Sequence, residues 1–363
     1  MTVNTFQDAL EQFGRQFAFI SSPNWYRRSN VPEVTKTTIT IPKGLQINIG
    51  SRGCLLKSNV VLDITNADHW DDTTYEDYTV ASNRAGKDFY IFAYYTDNSN
   101  EPSFLLSSNS TIPDGEDFDE DNTRKIGGFH CLCLDVGTIS GHTLSGYVTG
   151  DILPQSIWDL LHRAESDNEG MVYDEGTGNW YDIYLAGWDG EQLISEYGAT
   201  TVDGSSTFPM HGEKFAEYAG KIQKRLINRD DFICVAKGSN EKSNIRNSAD
   251  AGTTGGHYDT ANRRMISNIG MEDCCGFLWQ WCRQDGLANG SSGWGNSVSA
   301  TPIDASAGLY GQAYGTYYRA FVGGDWGNGA SCGSRSVSVA PVSANVLANN
   351  GGRLSARPRI VNL

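Results

Sequence analysis

The stretch Gly323–Arg357, GGDWGNGASCGSRSVSVAPVSANVLANNGGRLSAR, decides how this chain is read. Its skeleton is a Gly323–Gly324 pair, Trp326, Gly329, Gly333 and Arg335, then a spacer, then Gly351, Gly352, Arg353 and Arg357. Paired glycines mark sharp turns or close backbone packing. Arginine used without lysine favours fixed, forked hydrogen bonds. Between these positions lie Asp325, Gly327, Asn328, Ala330, Ser331, Ser336, Val337, Ser338, Val339, Ala340, Val342 and Ser343. They are small, chemically mixed and follow neither a helical nor a strand period. A core would show one period, and a solvated face would show charge. The reading is a rigid framework with exchangeable residues in its gaps, which is how binding surfaces are placed on loops.

Upstream, Met271–Cys282 reads MEDCCGFLWQWC, a glycine ahead of Trp279 and Trp281 with Gln280 between them. From Gly286 onward Gly, Ser, Ala and Asn dominate, while Lys and Glu vanish. Tyr310, Tyr314, Tyr317, Tyr318, Phe321 and Trp326 supply apolar anchors. An ordered, loop-rich fold is therefore expected instead of low-complexity disorder.

The remainder is β-rich. Thr5–Ile20 places Phe6, Ala9, Leu10, Phe13 and Phe17 at helical spacing. Thr37–Pro42, Leu45–Gly50, Val60–Thr65, Asp88–Tyr95, Phe104–Ser107 and Gly128–Val136 read as strands, β-branched or aromatic and separated by turn residues. Cys131 and Cys133 would share one face of the last. Ser156–Arg163 and Glu213–Leu226 read as helices and Asp231–Ala236 as a strand. The predicted class is α+β, β-rich. Residues 1–36 are expected to form a helix and linker, 37–150 a β-sandwich or prism-like domain, and 151–363 a further domain holding the glycine-rich stretch.

The 363 residues fit two or three compact units, and 39% hydrophobic with 11% aromatic residues can fill their cores. A net charge of -15 repels phosphate backbones and anionic membrane surfaces, so no nucleic-acid partner and no membrane insertion are expected. No signal peptide or bilayer-spanning run is visible. The eight cysteines lack a C-x-x-C pair and read mostly as buried thiols. In the acidic loop Asp114–Asn122, Asp117, Asp119 and Asp121 have the spacing of a calcium loop. Asn122 and Gly128 replace its turn glycine and bidentate glutamate, so a solvated turn is expected and calcium is the alternative. No metal site or other cofactor is expected.

The two glycine–tryptophan motifs resemble the C-type lectin-like fold of the formylglycine-generating-enzyme type, in which G-x-x-W-x-W precedes G-G-x-W, an Arg and a late G-x-R. The closer resemblance is to the variable proteins of diversity-generating retroelements, the family of the phage major tropism determinant. It covers residues 150–363, and more weakly the β region with Lys125–His130. It implies assembly by residues 1–36, virion attachment by 37–150 and a C-type lectin-like receptor-binding domain at 151–363 with a variable region at about 320–357, in a tail-fibre protein of the virion made in the host cytoplasm. The protein would be a homotrimer attached to other phage tail proteins, whose partner is a host-cell surface receptor, protein or glycan. In this family a reverse-transcriptase process substitutes template adenines, and every gap residue named above belongs to the set such codons encode. Tyr310, Gln312, Tyr314, Thr316 and Tyr317 can join that surface or support it.

The receptor-binding candidates are accordingly Asp325, Gly327, Asn328, Ala330, Ser331, Ser336, Ser338, Val339, Ala340 and Val342. The framework is Trp279, Trp281, Gly323, Gly324, Trp326, Gly329, Gly333, Arg335, Gly352 and Arg353. Trp279, Trp281 and Trp326 are expected beneath the displayed loops with a partner for each indole N–H. Arg335 and Arg353 are expected to bond loop carbonyls or buried acids. No catalytic residues are expected. A copper oxidase of this fold needs two cysteines after the Gly-Gly pair, where this chain has Asn328 and Gly333, with Cys332 one position off. The six histidines are scattered, and no hydrolase elbow or phosphate loop occurs. The remaining alternatives are a structural fibre or collar protein and, more remotely, a glycan hydrolase.

Overall fold

Alternating threonine and isoleucine give Thr38–Ile41 (β1) one buried face, carried by Ile39 and Ile41. The computed structural model describes residues 34–71, 76–95, 99, 101–115, 117–204, 210–247, 252–288, 294–295, 313–314, 316–339 and 346–359. The Thr5–Ile20 helix lies outside the described residues. Contacts divide the chain into two units. One holds the chain up to Leu134 with Tyr147–Arg163 and the residues from Arg359; the other holds Asp135–Gly146 and Ala164–Pro358. The division thus falls on either side of the expected 150/151 boundary. No described helix is long and apolar enough to cross a membrane.

In the first unit Gln46–Ile49 (β2) and Arg52–Leu55 (β3) form a hairpin, and β1 pairs antiparallel with Val60–Asp63 (β4). A short helix, Ala81–Arg84 (α1), precedes a four-stranded sheet. Its strands are Asp88–Tyr94 (β5), Ser103–Ser107 (β6), Thr123–His130 (β7) and Trp158–Asp159 (β8), in the order β6-β5-β7-β8. Ile39, Ile41, Ile47, Ile49, Leu62 and Ile91 share one core with Phe89 and Phe129. Phe89 meets Trp70 and Tyr78 edge-on, each at 5.0 Å.

Two expectations fail here. The strand assigned to Gly128–Val136 begins earlier and stops at His130. Its length is set by the β5 partner, from Tyr94↔Thr123 to Asp88↔His130, and not by its own hydrophobicity. Cys131 and Cys133 follow it, both buried. The Ser156–Arg163 helix is absent: Pro154–Ser156 is a single 3-10 turn, and β8 then adds to β7. Ser156 does not cap a helix; its Oγ accepts the His130 N–H at 2.7 Å. Asp159 closes the next turn by accepting the Leu161 and His162 N–H groups.

The second unit contains two four-stranded sheets. Met171–Asp174 (β9), Asn179–Asp182 (β10), Arg225–Leu226 (β13) and Leu354–Ala356 (β20) run in the order β13-β20-β10-β9. Gly187–Trp188 (β11) pairs with Leu193–Ile194 (β12). The other sheet has Trp279–Ala288 (β14), Thr316–Gly323 (β17), Gly333–Ser338 (β18) and Asn350–Gly352 (β19), ordered β18-β17-β14-β19. Trp294–Gly295 (β15) pairs with Ala313–Tyr314 (β16).

Helix Gly212–Lys221 (α2) buries Phe215 and Ala219, but it ends before the expected Leu226. Gln223 has φ 59, which breaks the helix and releases Leu226 into β13. Asp231–Ala236, read as a strand, instead lies within and just past the helix Arg229–Val235 (α3). Asn228 caps it by accepting the Asp230 N–H at 2.8 Å, and Asp230 and Asp231 suit its positive end. The fold is α+β and strand-dominated, as expected.

Phe89→Ala removes the centre of the first unit's aromatic cluster. Urea unfolding is expected to show a loss of about 3–5 kcal/mol. A loss below about 1 kcal/mol would mean the cluster repacks or carries little of the core.

Candidate functional site

The two motifs meet in a parallel ladder. Trp279, Gln280 and Trp281 of β14 lie opposite Asn350, Gly351 and Gly352 of β19. Arg353 follows at once and is fully buried. Its Nε donates to Gln280 Oε1 at 2.9 Å, and Nη1 donates to the Asp182 and Ile183 carbonyls at 2.8 and 2.6 Å. Nη2 donates to the Glu272 carbonyl. Gln280 passes the network on, its Nε2 donating to the Cys274 carbonyl at 2.7 Å. Arg353 therefore joins β10, the 272–274 turn and β14.

Aromatic packing and backbone turns complete the platform. Trp281 is fully buried with its ring 4.0 Å from Phe321, and Trp279 stacks on Phe321 at 6.1 Å. The Trp281 indole N–H has no acceptor among the described residues, against expectation. Trp326 packs half-buried against Leu185, Ile245, Met265, Phe277 and Leu278, and its backbone N–H donates to the Phe277 carbonyl. Gly323 and Gly324 both have left-handed φ, 92 and 86 degrees. A Cβ at Gly323 would lie 2.5 Å from the Cys274 carbonyl oxygen, and one at Gly324 2.9 Å from Cys332 Sγ. Gly329 opens the Gly329–Ser331 turn; Gly333 and Gly352 are buried, against Glu241 and the Phe215 ring.

On this platform Gly327, Ala330 and Ser331 are exposed and Asn328 is half-buried. Along β18 and just past it, Ser334, Ser336 and Ser338 are half-buried, while Arg335, Val337 and Val339 are exposed. Val339 keeps 70% of its surface in water. Ala340 and Val342 lie outside the described residues, as do Tyr310 and Gln312. The structure moves two residues between classes. Arg335, assigned to the framework, points outward because β18 is an edge strand whose alternate positions face solvent. Asp325, assigned to the exchangeable set, is buried: its Oδ1 accepts the Gly327 N–H at 2.8 Å and Oδ2 accepts from Asn349. Asn328 Oδ1 accepts the Asp325 N–H at 2.7 Å, so these two side chains tie the loop that follows Trp326.

Sequence reasoning missed Glu241. Its Oε1 accepts the Ser334 N–H at 3.1 Å and the Ser334 hydroxyl at 2.7 Å, fixing the start of β18. Nothing local to Glu241 signals that distant contact. Gln280 was visible only as the residue between two tryptophans.

The chemistry of the thiols bears on the oxidase alternative. Cys332 is buried, its Sγ donates to the Asp325 carbonyl at 3.4 Å, and burial lifts its pKa to about 11. Burial likewise lifts Cys274 to about 11 and Cys282 to about 12. These are protonated, packed thiols at neutral pH. In the acidic loop, Asp119 Oδ1 accepts the Asp121 and Asn122 N–H groups, both at 2.9 Å, so that carboxylate closes a turn.

His257 Nδ1 lies 2.9 Å from Asp273 Oδ2. Burial opposes charge on His257, but the Asp273 carboxylate outweighs it and raises the imidazole above its ordinary value. Burial also opposes charge on Asp273, but His257, together with Arg264 and the Gly255 N–H, outweighs it and holds that carboxyl below its ordinary value.

Three outcomes follow from these contacts. Arg353→Met removes all four of these buried hydrogen bonds and is expected to cost about 3 kcal/mol or more in urea unfolding, whereas Arg335→Ala changes it by less than about 0.5 kcal/mol. The His257–Asp273 contribution is complete between pH 3.8 and 6.5. It declines as pH rises through the raised imidazole value and as pH falls through the lowered carboxyl value. His257→Gln should flatten the alkaline decline in the urea midpoint; an unchanged profile would remove the pair from the account.

Residues 33–159 match the family model of the Mtd second domain. No curated protein matches the chain by sequence. Among solved structures, the Major Tropism Determinant I1 Variant is 24% identical with a TM-score of 0.70, and the P3c Variant 23% identical with 0.70. The M1 Variant is 23% identical with a TM-score of 0.69. Each comparison covers 91% of this chain and 83% of the other. The chain is thus Mtd-like: it carries a second domain of the Mtd type and has the fold of the major tropism determinants.

Proposed function

We propose that this chain is a bacteriophage receptor-binding protein, a tropism determinant of the tail fibre that displays a diversified surface for attachment to a host cell. One observation carries the reading. Within a single short segment, Gly323, Gly324, Cys332 and Gly333 are buried while Gly327, Ala330, Ser331, Arg335, Val337 and Val339 are exposed. The exposed side chains leave the platform's hydrogen bonds to buried groups, so they can be exchanged at little cost to stability. The likeness to proteins named major tropism determinants supports the same role.

On this reading 151–363 is a C-type lectin-like receptor-binding domain, and a retroelement diversifies its variable region. The first unit joins other tail proteins and the virion holds the chain as a homotrimer. Three copies of a modest site then raise effective affinity without new contacts. The partner is a receptor on the host surface, protein or glycan. The function is binding and not catalysis: Cys332 is a buried, protonated thiol with Asn328 and Gly333 where an oxidase of the resembled type places cysteines.

Phage carrying Val339→Asp or Arg335→Glu are expected to adsorb to their present host at least about tenfold less, with the urea midpoint of the purified variant unchanged. Normal adsorption by both variants would favour a structural fibre or collar role.

A further inference from the structure

A cleft in the second unit, of about 540 Å³, is lined by Glu241, Lys242, Ser243, Asp259, Thr260 and Arg263, with Gly238, Ser239 and Ala261. Its size falls within the range of small-molecule pockets, about 300–1,000 Å³. Ala261 alone supplies an apolar side chain, so the lining suits a polar ligand.

The charges in this cleft are unequally committed. Asp259 Oδ1 accepts the Ala261 and Arg263 N–H groups at 2.8 and 2.9 Å, and Oδ2 accepts the Ser243 hydroxyl at 2.6 Å. Glu241 is engaged by the Ser334 N–H and hydroxyl. Both Asp259 oxygens and Glu241 Oε1 are thus engaged by protein donors. Among the described residues neither Lys242 nor Arg263 forms an ion pair. Arg263 spends one Nη on the Gly238 carbonyl, which leaves the rest of its fork free. Lys242 is exposed and held at φ 59, a conformation a lysine rarely adopts. The Thr260 side chain is exposed beside them. In a chain of net charge -15, Lys242 and Arg263 balance Glu241 and Asp259 in this cleft, so its lining is formally neutral and its cations are the groups without an ion-pair partner among the described residues.

We propose that this cleft binds an acidic sugar: a carboxylate held by Lys242 and Arg263, with ring hydroxyls meeting Thr260 and the cleft backbone. Charge-assisted bonds to the anion would supply most of the affinity. The site lies beside the displayed strand, because the Lys242 N–H donates to the Cys332 carbonyl at 2.9 Å and Glu241 holds Ser334. Its lining falls outside the variable region, so this specificity would persist while residues 327–339 change. The inference does not depend on which receptor the variable surface engages.

The test is calorimetric titration of the full chain with glucuronate, glucose and inorganic phosphate. Glucuronate is expected to bind at least about tenfold more tightly than either of the others, and Lys242→Gln and Arg263→Gln each to weaken it about tenfold. Lys242 is exposed, so its variant keeps the fold even if the Arg263 variant does not. Glucose binding as well as glucuronate, phosphate binding as well as glucuronate, no glucuronate binding, or an unaffected Lys242→Gln variant would each overturn the proposal.

Discussion

The second unit depends on one buried guanidinium. Arg353 lies in the core with four oxygens around it: the Gln280 side chain and the Asp182, Ile183 and Glu272 carbonyls. A buried charge without such partners is strongly disfavoured, so the three segments that present those oxygens are held to one arrangement. The constraint reaches further. Gln280 binds the Cys274 carbonyl, whose oxygen would lie 2.5 Å from a Cβ at Gly323, too close for any side chain there.

From Gly323 the chain enters the tied loop at Asp325 and Asn328, then the Gly329–Ser331 turn, and returns as β18. Each step is set by groups that face inward or along the backbone, including the Glu241 carboxylate at Ser334. The side chains at 335, 337 and 339 take no part in those steps. This separation is what a recognition surface requires, since a prefolded scaffold limits the ordering cost of binding.

Much of this was legible in the sequence because the framework residues are chemically unusual. Paired glycines, spaced tryptophans and arginines without lysine in a Gly/Ser/Ala/Asn-rich tail pointed to Gly323, Gly324, Trp281 and Arg353. The β strands of the first unit were legible from period two, as in Thr38–Ile41 and Gln46–Ile49. Strands whose extent is set by a partner were not: Thr123–His130 starts in the polar Thr-Arg-Lys segment because β5 continues there, and Trp158–Asp159 pairs where a helical pattern was read. Arg335 and Asp325 were exchanged because spacing alone cannot tell an outward strand position from an inward one in a segment of small residues. Asn228 and Asp230 did signal the α3 helix, but the apolar run Phe232–Ala236 obscured it.

Saturation mutagenesis of residues 323–356, scored by yield of folded protein, tests the central claim most directly. Positions 335, 337 and 339 are expected to accept nearly every residue, and positions 323, 324 and 353 almost none. Even tolerance across the segment, or poor tolerance at 335, 337 and 339, would contradict the separation of platform from displayed surface.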